Sequence, residues 1–230
     1  MPRFDRVLVI SPHADDEVLG CGGMMAALHS AGAEVHVLYL AVDGMHHYGL
    51  TEATTFADRL AEISHVSQIL GFTYDIAFAG QNLTERLDTL PRRDMVDLFQ
   101  DAMNARRPDL VLLPSFADYD QDHRAVFDAG FAAARPIAQQ FGKWLVPHVF
   151  LYEMSKIQWA AEPLPRSTAY YDISDHLDRK LEALRAYKTQ YRPVPHIRSE
   201  ESVSALAVLR GAEMGVHHAE AFGVLRTIIS

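Results

Sequence analysis

Apolar positions in this chain fall into short unbroken runs, and the runs alternate with longer stretches of mixed polarity. Arg6 to Ser11 (RVLVIS) is a β-branched apolar run of strand length, followed by a glycine-punctuated turn and a helical stretch from about Gly22 to Ala31 that stops at Gly32. Val35 to Val42 (VHVLYLAV) predicts a second buried strand, Thr54 to Leu70 a helix closed by Gly71, and Tyr74 to Ala79 a third, weaker strand. A helix over about Arg92 to Arg106 leads into a fourth strand at Asp109 to Pro114 (DLVLLP). After Asp122 another helix runs to about Phe141, and His148 to Met154 (HVFLYEM) is a fifth strand. Strands alternating with helices of this length predict an α/β sandwich: a mostly parallel sheet with helices on both faces. From Trp159 the pattern changes to a proline-bearing loop, a short strand at Tyr170 to Ile173, a helix from about Ser174 to Gln190, and a less regular tail. One domain over 1–230 is expected, with 1–155 as its core and 156–230 as a C-terminal cap.

Composition narrows the classes. At 230 residues and 49% apolar, the chain is long enough for one full hydrophobic core. Its 21 basic and 30 acidic residues leave a formal charge of −9, which repels a phosphate backbone and argues against nucleic acid as partner. The lone Cys21 excludes an internal disulfide, and no N-terminal signal pattern is present, so a cytoplasmic location is the expectation. The longest apolar runs are too short to cross a bilayer, and an integral membrane protein is not expected. A glycolipid substrate would have to be met at a membrane surface.

Open parallel sheets bind ligands beyond the carboxyl ends of their strands. Ser11, Pro12, His13, Ala14, Asp15, Asp16 and Glu17 follow the first strand, and Asp118, Asp120, Asp122 and His123 follow the fourth. A hydrolytic zinc site commonly takes three histidine or carboxylate ligands and leaves a position for water. His13, Asp16 and His123 would supply them, and Asp15, beside a ligand, would serve as proton acceptor. The competing reading is that Asp15, Asp16 and Glu17 only begin a helix, whose N-terminus favours acidic side chains. Cys21 reads as a small core residue. Gly20, Gly22 and Gly23 lack the spacing of a Walker or dinucleotide loop and read as tight turns and close packing.

The segment SPHADDEVLGCGG at Ser11 to Gly23 resembles the signature of the PIG-L, or LmbE-like, de-N-acetylases. DYDQDHRAV at Asp118 to Val126 resembles the second motif of that family, and RLAEISHVSQILGF at Arg59 to Phe72 its arginine-glutamate helix. LYEMSKIQW, YYDISDHLDRKLEALRAYKTQ and HHAEAF are similar to its later motifs, so the resemblance covers nearly the whole chain. It implies a Rossmann-like three-layer fold, a divalent metal that is usually zinc, and hydrolysis of the N-acetyl group of a glucosamine-type sugar. The expected substrate is a small amino sugar, free or as a glycolipid or nucleotide sugar. Carried over by position, His13, Asp16 and His123 are metal ligands and Asp15 is the general base. Ala14 stands where many members have proline. Asp120 stands where many have a histidine that helps stabilise or protonate the tetrahedral intermediate, and an ionised carboxylate cannot donate there.

Either Asp120 therefore orients another group, or a histidine from elsewhere takes the role. His218, in the terminal HHAEAF, is the expected candidate, ahead of His217, because that motif approaches the active-site mouth in this family and in some oligomeric members a neighbour's. A homo-oligomer is thereby allowed. Arg59 is a candidate for a substrate hydroxyl or phosphate, with an ion pair to Glu62 as the alternative. Asp43, just after the second strand, is a candidate for sugar hydroxyls, with a turn as the alternative. His46, His47 and Tyr48 are placed in an entrance loop. Other readings are an N-acyl aminoglycoside or glycopeptide as substrate, or a catalytically silent relative that kept the fold.

Overall fold

A computed structural model describes residues 4–42, 54–137, 139–155 and 169–229. Five parallel strands form its centre: β1 (Arg6–Ser11), β2 (Glu34–Tyr39), β3 (Thr73–Ile76), β4 (Leu110–Leu113) and β5 (His148–Tyr152). β6 (Ala169–Asp172) and β7 (Ala219–Thr227) extend the sheet, β7 running antiparallel to both β5 and β6, to give the order β3-β2-β1-β4-β5-β7-β6. Side chains alternate across it, as strand geometry requires. Val7, Val9, Leu110, Leu112, Phe150 and Tyr152 enter one core, while Leu8, Ile10, Val111, Leu113, Val149 and Leu151 enter the other. The first face is covered by α1 (Asp16–Ser30), α2 (Phe56–Leu70) and α5 (Leu177–Ala186), and the second by α3 (Arg92–Arg106) and α4 (Gln121–Ala133). This is the α/β sandwich that the strand and helix alternation predicts. No described helix is long and apolar enough to cross a membrane.

The tail differs from its sequence reading. It holds α6 (Glu200–Met214) and all of β7. Neither announces itself, because the buried stripe of α6 is Val203, Ala207 and Gly211, mostly small residues, and β7 is interrupted by Gly223 and meets β5 across a register shift. The helix expected to reach Phe141 ends at Ala133, three residues before Pro136, and Gln139–Phe141 forms a separate 3-10 turn.

α1 also begins earlier than its glycines suggest. It runs through Gly20, Gly22 and Gly23 with one break, at Cys21 (φ −148°, ψ 19°). A Cβ on Gly20 would lie 2.4 Å from the Tyr152 ring and one on Gly23 2.8 Å from Ile173, so these glycines let the helix settle directly onto the sheet. The break leaves backbone groups without helical partners in a buried place. Lys180 Nζ donates to Leu19 O (3.0 Å) and to Glu220 Oε1 (2.6 Å), and Glu220 accepts from Gly23 N (2.9 Å) and Met24 N (2.7 Å). One buried ion pair thus replaces the bond that Gly23 N would have made to Leu19 O in an unbroken helix.

Removing one member of such a pair strands the other in the interior. Glu220→Ala is expected to cost about 3–5 kcal/mol, read as a lower urea midpoint with unchanged slope. A loss below about 1 kcal/mol, the scale of a single ordinary hydrogen bond, would show that the break is held by something else.

Candidate functional site

The strand order reverses direction between β1 and β4, the place where the loops beyond the two carboxyl ends part to form a crevice. The loop after β1 is tied down on every side. Ser11 Oγ donates to His13 O (2.6 Å), and His13 N donates to Asp16 Oδ2 (2.9 Å). Asp15 sits at φ 138°, ψ −23°, a conformation costly for any residue with a side chain. Its backbone N–H is held by Glu17 Oε2 (3.1 Å), whose other oxygen accepts from Tyr187 OH (2.6 Å), itself 3.1 Å from Tyr39 OH. Burial, with the charge of Asp15 adding to it, raises the Glu17 carboxyl to about 7 against the Tyr187 hydrogen bond.

Arg59 takes part in this support. Its guanidinium is buried, donates to the carbonyl of Ala14, to Glu62 Oε2 (3.1 Å) and to Thr189 Oγ1 (2.7 Å), and lies over the Tyr187 ring. The expected ion pair with Glu62 is present, and the guanidinium also holds the backbone between His13 and Asp15. Asp43, His46, His47 and Tyr48 lie outside the described residues.

Across the crevice, β4 leads into a turn whose carboxylates are aimed by backbone amides. Asp120 caps α4, its Oδ1 accepting from Asp122 N (3.0 Å), while Asp118 Oδ1 accepts from Asp120 N (3.0 Å). Asp122, fully buried, accepts from Glu85 N (2.7 Å) and Leu87 N (2.8 Å). The two histidines meet here with rings 5.5 Å apart. His13 places Nε2 2.9 Å from Asp122 Oδ2 and Nδ1 3.4 Å from Asp16 Oδ2. His123 places Nδ1 3.0 Å from Asp118 Oδ2, and Nε2 3.2 Å from Asp16 Oδ2 and 3.9 Å from Asp120 Oδ2.

Each imidazole therefore has one nitrogen against a buried carboxylate and the other facing a shared space with Asp16 and Asp120. That is the arrangement by which an outer carboxylate fixes the tautomer of a metal-binding histidine. Donor atoms of His13, Asp120 and His123 all lie within 4.8 Å of one another. The Asp16 separations of 3.4 and 3.2 Å are close to the edge of a tetrahedron, about 3.4 Å for bonds of about 2.1 Å. The donor set fits a divalent cation. Asp120, expected as a substitute for a histidine donor, faces the same space as the ligand atoms.

The carboxylates around the histidines also set the charge of the site. Burial lowers the His13 pKa, but Asp122, Asp16 and Asp120 outweigh it and raise the imidazole to about 10. Burial works against ionisation of Asp16, yet His123 and His13 hold it well below the usual carboxylate range. Asp15 moves the other way: burial raises it, opposed chiefly by Arg198. Neither Asp15 oxygen has a hydrogen-bond partner among the described residues, although its carboxylate is 1% exposed. Its one close polar neighbour there is Arg198, Nε 2.8 Å from Oδ2, a charge contact without hydrogen-bond alignment.

Arg198 is the site residue that sequence reasoning missed. It lies in RPVPHIRS, between α5 and α6, and the signal was two arginines and a histidine flanking a pair of prolines in an acidic chain. His218 stands just before β7, its Nδ1 buried without a hydrogen-bond partner among the described residues. Its N–H donates to Ser174 Oγ (3.2 Å) and its carbonyl accepts from Ile173 N (3.0 Å), at the corner after β6. Phe222 is level with Tyr152 at the end of β5, and four strand residues before it carry His218 about 13 Å further along the strand direction.

Residues 8–134, more than half of the chain, match the family described as GlcNAc-PI de-N-acetylase, PIG-L. The chain is 29% identical over 156 residues to the uncharacterized deacetylase YaiS of Escherichia coli, covering 63% of this chain and 80% of that protein. Among solved structures it is similar to the conserved protein TT1542 of Thermus thermophilus (TM-score 0.76, 26% identity, 99% of this chain and 97% of that one). It also shares its fold with GalB, the 4-carboxy-2-hydroxymuconate hydratase of Pseudomonas putida (TM-score 0.78, 21% identity, 98% of each chain).

The outer carboxylates give the site its testable property. Asp122→Ala, which frees the far nitrogen of His13, is expected to weaken zinc binding about 10–100-fold, read by competition with a chromophoric chelator. Unchanged affinity in a folded variant would mean that His13 does not hold the ion.

Proposed function

The chain belongs to the GlcNAc-PI de-N-acetylase family, and on that premise we propose that it is a zinc-dependent amidase that removes the acetyl group from an N-acetylglucosamine-type amino sugar or its conjugate. The observation that carries this reading is Asp15: a buried carboxylate without a hydrogen-bond donor for either oxygen among the described residues, next to a histidine and carboxylate donor set. A buried acceptor left in that state costs stability and is kept where a substrate or a water completes it.

His13, Asp16 and His123 would hold the ion, with Asp120 facing the same space. Zinc supplies, when bound, a Lewis acid that polarises the amide carbonyl and acidifies water near neutral pH. The rest falls to the chain. Asp15 takes the proton of the attacking water as its oxygen bonds to the carbonyl carbon. Burial has raised the affinity of Asp15 for that proton, which suits a base that must work and then release. Once protonated, Asp15 would pass the proton to the departing nitrogen, giving acetate and a free amine. Asp118 and Asp122 hold the two imidazoles, and Arg59 and Glu17 hold the strained backbone on which Asp15 is mounted.

The experiment is release of acetate and primary amine from a panel of N-acetylated sugars, sugar phosphates and glycopeptides, with zinc content measured in parallel. Zinc-loaded protein is expected to deacetylate at least one amino sugar. Asp15→Asn is expected to keep its zinc and lose about 10²-fold or more in turnover. Zinc-loaded protein that releases no acetate from any of them, or an Asp15→Asn variant with full activity, would overturn the proposal.

A further inference from the structure

Asp120 is the N-cap of α4 and His123 follows it by three residues, so both side chains leave the first turn of the helix on one side. The cap fixes the carboxylate. Its Oδ1 accepts from Asp122 N (3.0 Å), and the Asp120 N–H is held by Asp118 Oδ1 (3.0 Å), the aspartate whose other oxygen faces His123 Nδ1 (3.0 Å). With Oδ1 engaged by the cap, Oδ2 points at the histidines. It lies 3.9 Å from His123 Nε2, and a donor atom of Asp120 falls within 4.8 Å of one on each of His13 and His123.

His123 Nε2 therefore has two carboxylate oxygens beside it, Asp16 Oδ2 at 3.2 Å and Asp120 Oδ2 at 3.9 Å. Both are spacings of atoms that share one ion, which are about 3.0–3.4 Å for neighbours and about 4.2 Å for opposite positions when bonds are about 2.1 Å. The two oxygens differ in setting. The Asp16 side chain is 4% exposed and the Asp120 side chain 19%, so Asp120 approaches the shared space from its open side. Arg198 does not account for this aim: the charge acting on it is chiefly that of Asp15, and Asp120 is the weakest of the carboxylates there. Three protein ligands around zinc leave one tetrahedral position for water, whereas four close the tetrahedron, as in structural sites. A fourth ligand is compatible with hydrolysis only if the ion accepts five or six. Two imidazoles and two carboxylates also suit Mn2+, which takes oxygen donors and six ligands more readily than zinc does.

We propose that Asp120 is a fourth protein ligand of the dication, giving a centre with more than four ligands in all, and that it sets which dications the centre takes. The statement rests on the metal part of the amidase reading above and not on the acetylated sugar. The test reads the ion and not turnover. Protein stripped of metal is loaded with Co2+ and its visible absorption recorded. Affinity for Zn2+ is measured by competition with a chromophoric chelator, and for Mn2+ from the electron paramagnetic resonance of the free ion. Asp120→Ser keeps an acceptor for Asp122 N but has no second oxygen. Asp120→Asn keeps the cap and a neutral oxygen, and serves as the second variant if the first does not fold. The wild-type Co2+ spectrum is expected to be the weak one of a five- or six-coordinate ion, and that of Asp120→Ser the intense one of a tetrahedral ion. Mn2+ is expected to bind Asp120→Ser at least about 10-fold more weakly, with a smaller loss for Zn2+ and with Asp120→Asn between.

Folded variants that keep the wild-type Co2+ spectrum, or that lose Zn2+ as much as Mn2+, would make Asp120 only the cap of α4 and overturn the proposal. An intense tetrahedral spectrum in the wild type would overturn it too. Protein that takes up none of the three ions would overturn both this proposal and the metal reading beneath it. The expected spectral change and Mn2+ loss in a protein that releases no acetate from any sugar would support Asp120 as a ligand and remove only the substrate.

Discussion

Five aspartates and a glutamate crowd the carboxyl ends of β1 and β4, and all but Asp120 are buried. Taken out of water and left alone, such groups would refuse to ionise together, since a carboxylate in a low-dielectric interior costs several kcal/mol in solvation. The rest of the site is the solution to that difficulty. Asp122 and Asp118 are each matched to an imidazole and to backbone amides, Asp16 lies between both imidazoles, and Asp15 is offset by Arg198. Even so, Asp15 and Glu17 keep raised pKa values. The negative excess that remains is what makes the space between the histidines attractive to a dication.

The scaffold explains why this concentration of charge does not unfold its surroundings. β1 and β4 are central strands with apolar side chains on both faces, so their ends are fixed by cores that the polar loops do not enter. The strained Asp15 backbone is over-determined from three directions: Glu17 above the amide, Arg59 on the preceding carbonyl, and α1 beginning immediately after it. GalB and YaiS, whose names describe different reactions, match this chain. A fold of this kind fixes where chemistry happens and leaves the reaction to the side chains at that place.

Much of this was legible in the chain. The apolar runs gave β1, β2, β4 and β5 because each strand is buried on both faces and reads as continuous Val, Leu and Ile, and His13, Asp16 and His123 fall together because the sheet reverses between β1 and β4. What was hidden has physical causes. Arg59 is an ordinary helix arginine until Ala14 and Thr189 are folded onto it from 45 residues before and 130 after. Arg198 reaches Asp15 across 183 residues of sequence through a loop without periodicity, and only the sheet brings them into contact. The antiparallel course of β7 carries His218 past the carboxyl end of β5. Glu220, in the same motif, had a role that no sequence spacing reveals, because its partners are the backbone amides of a helix break.

That break links chain order to assembly. The loop bearing His13 and Asp15 lies more than 150 residues before Lys180 and Glu220 in the chain, yet these two hold the helix behind it. Until β7 pairs with β5, α1 carries unsatisfied amides at its bend and has reason to fray. β7 therefore does more than extend the sheet: through Glu220 it also fixes the bend of the helix that follows the reactive loop.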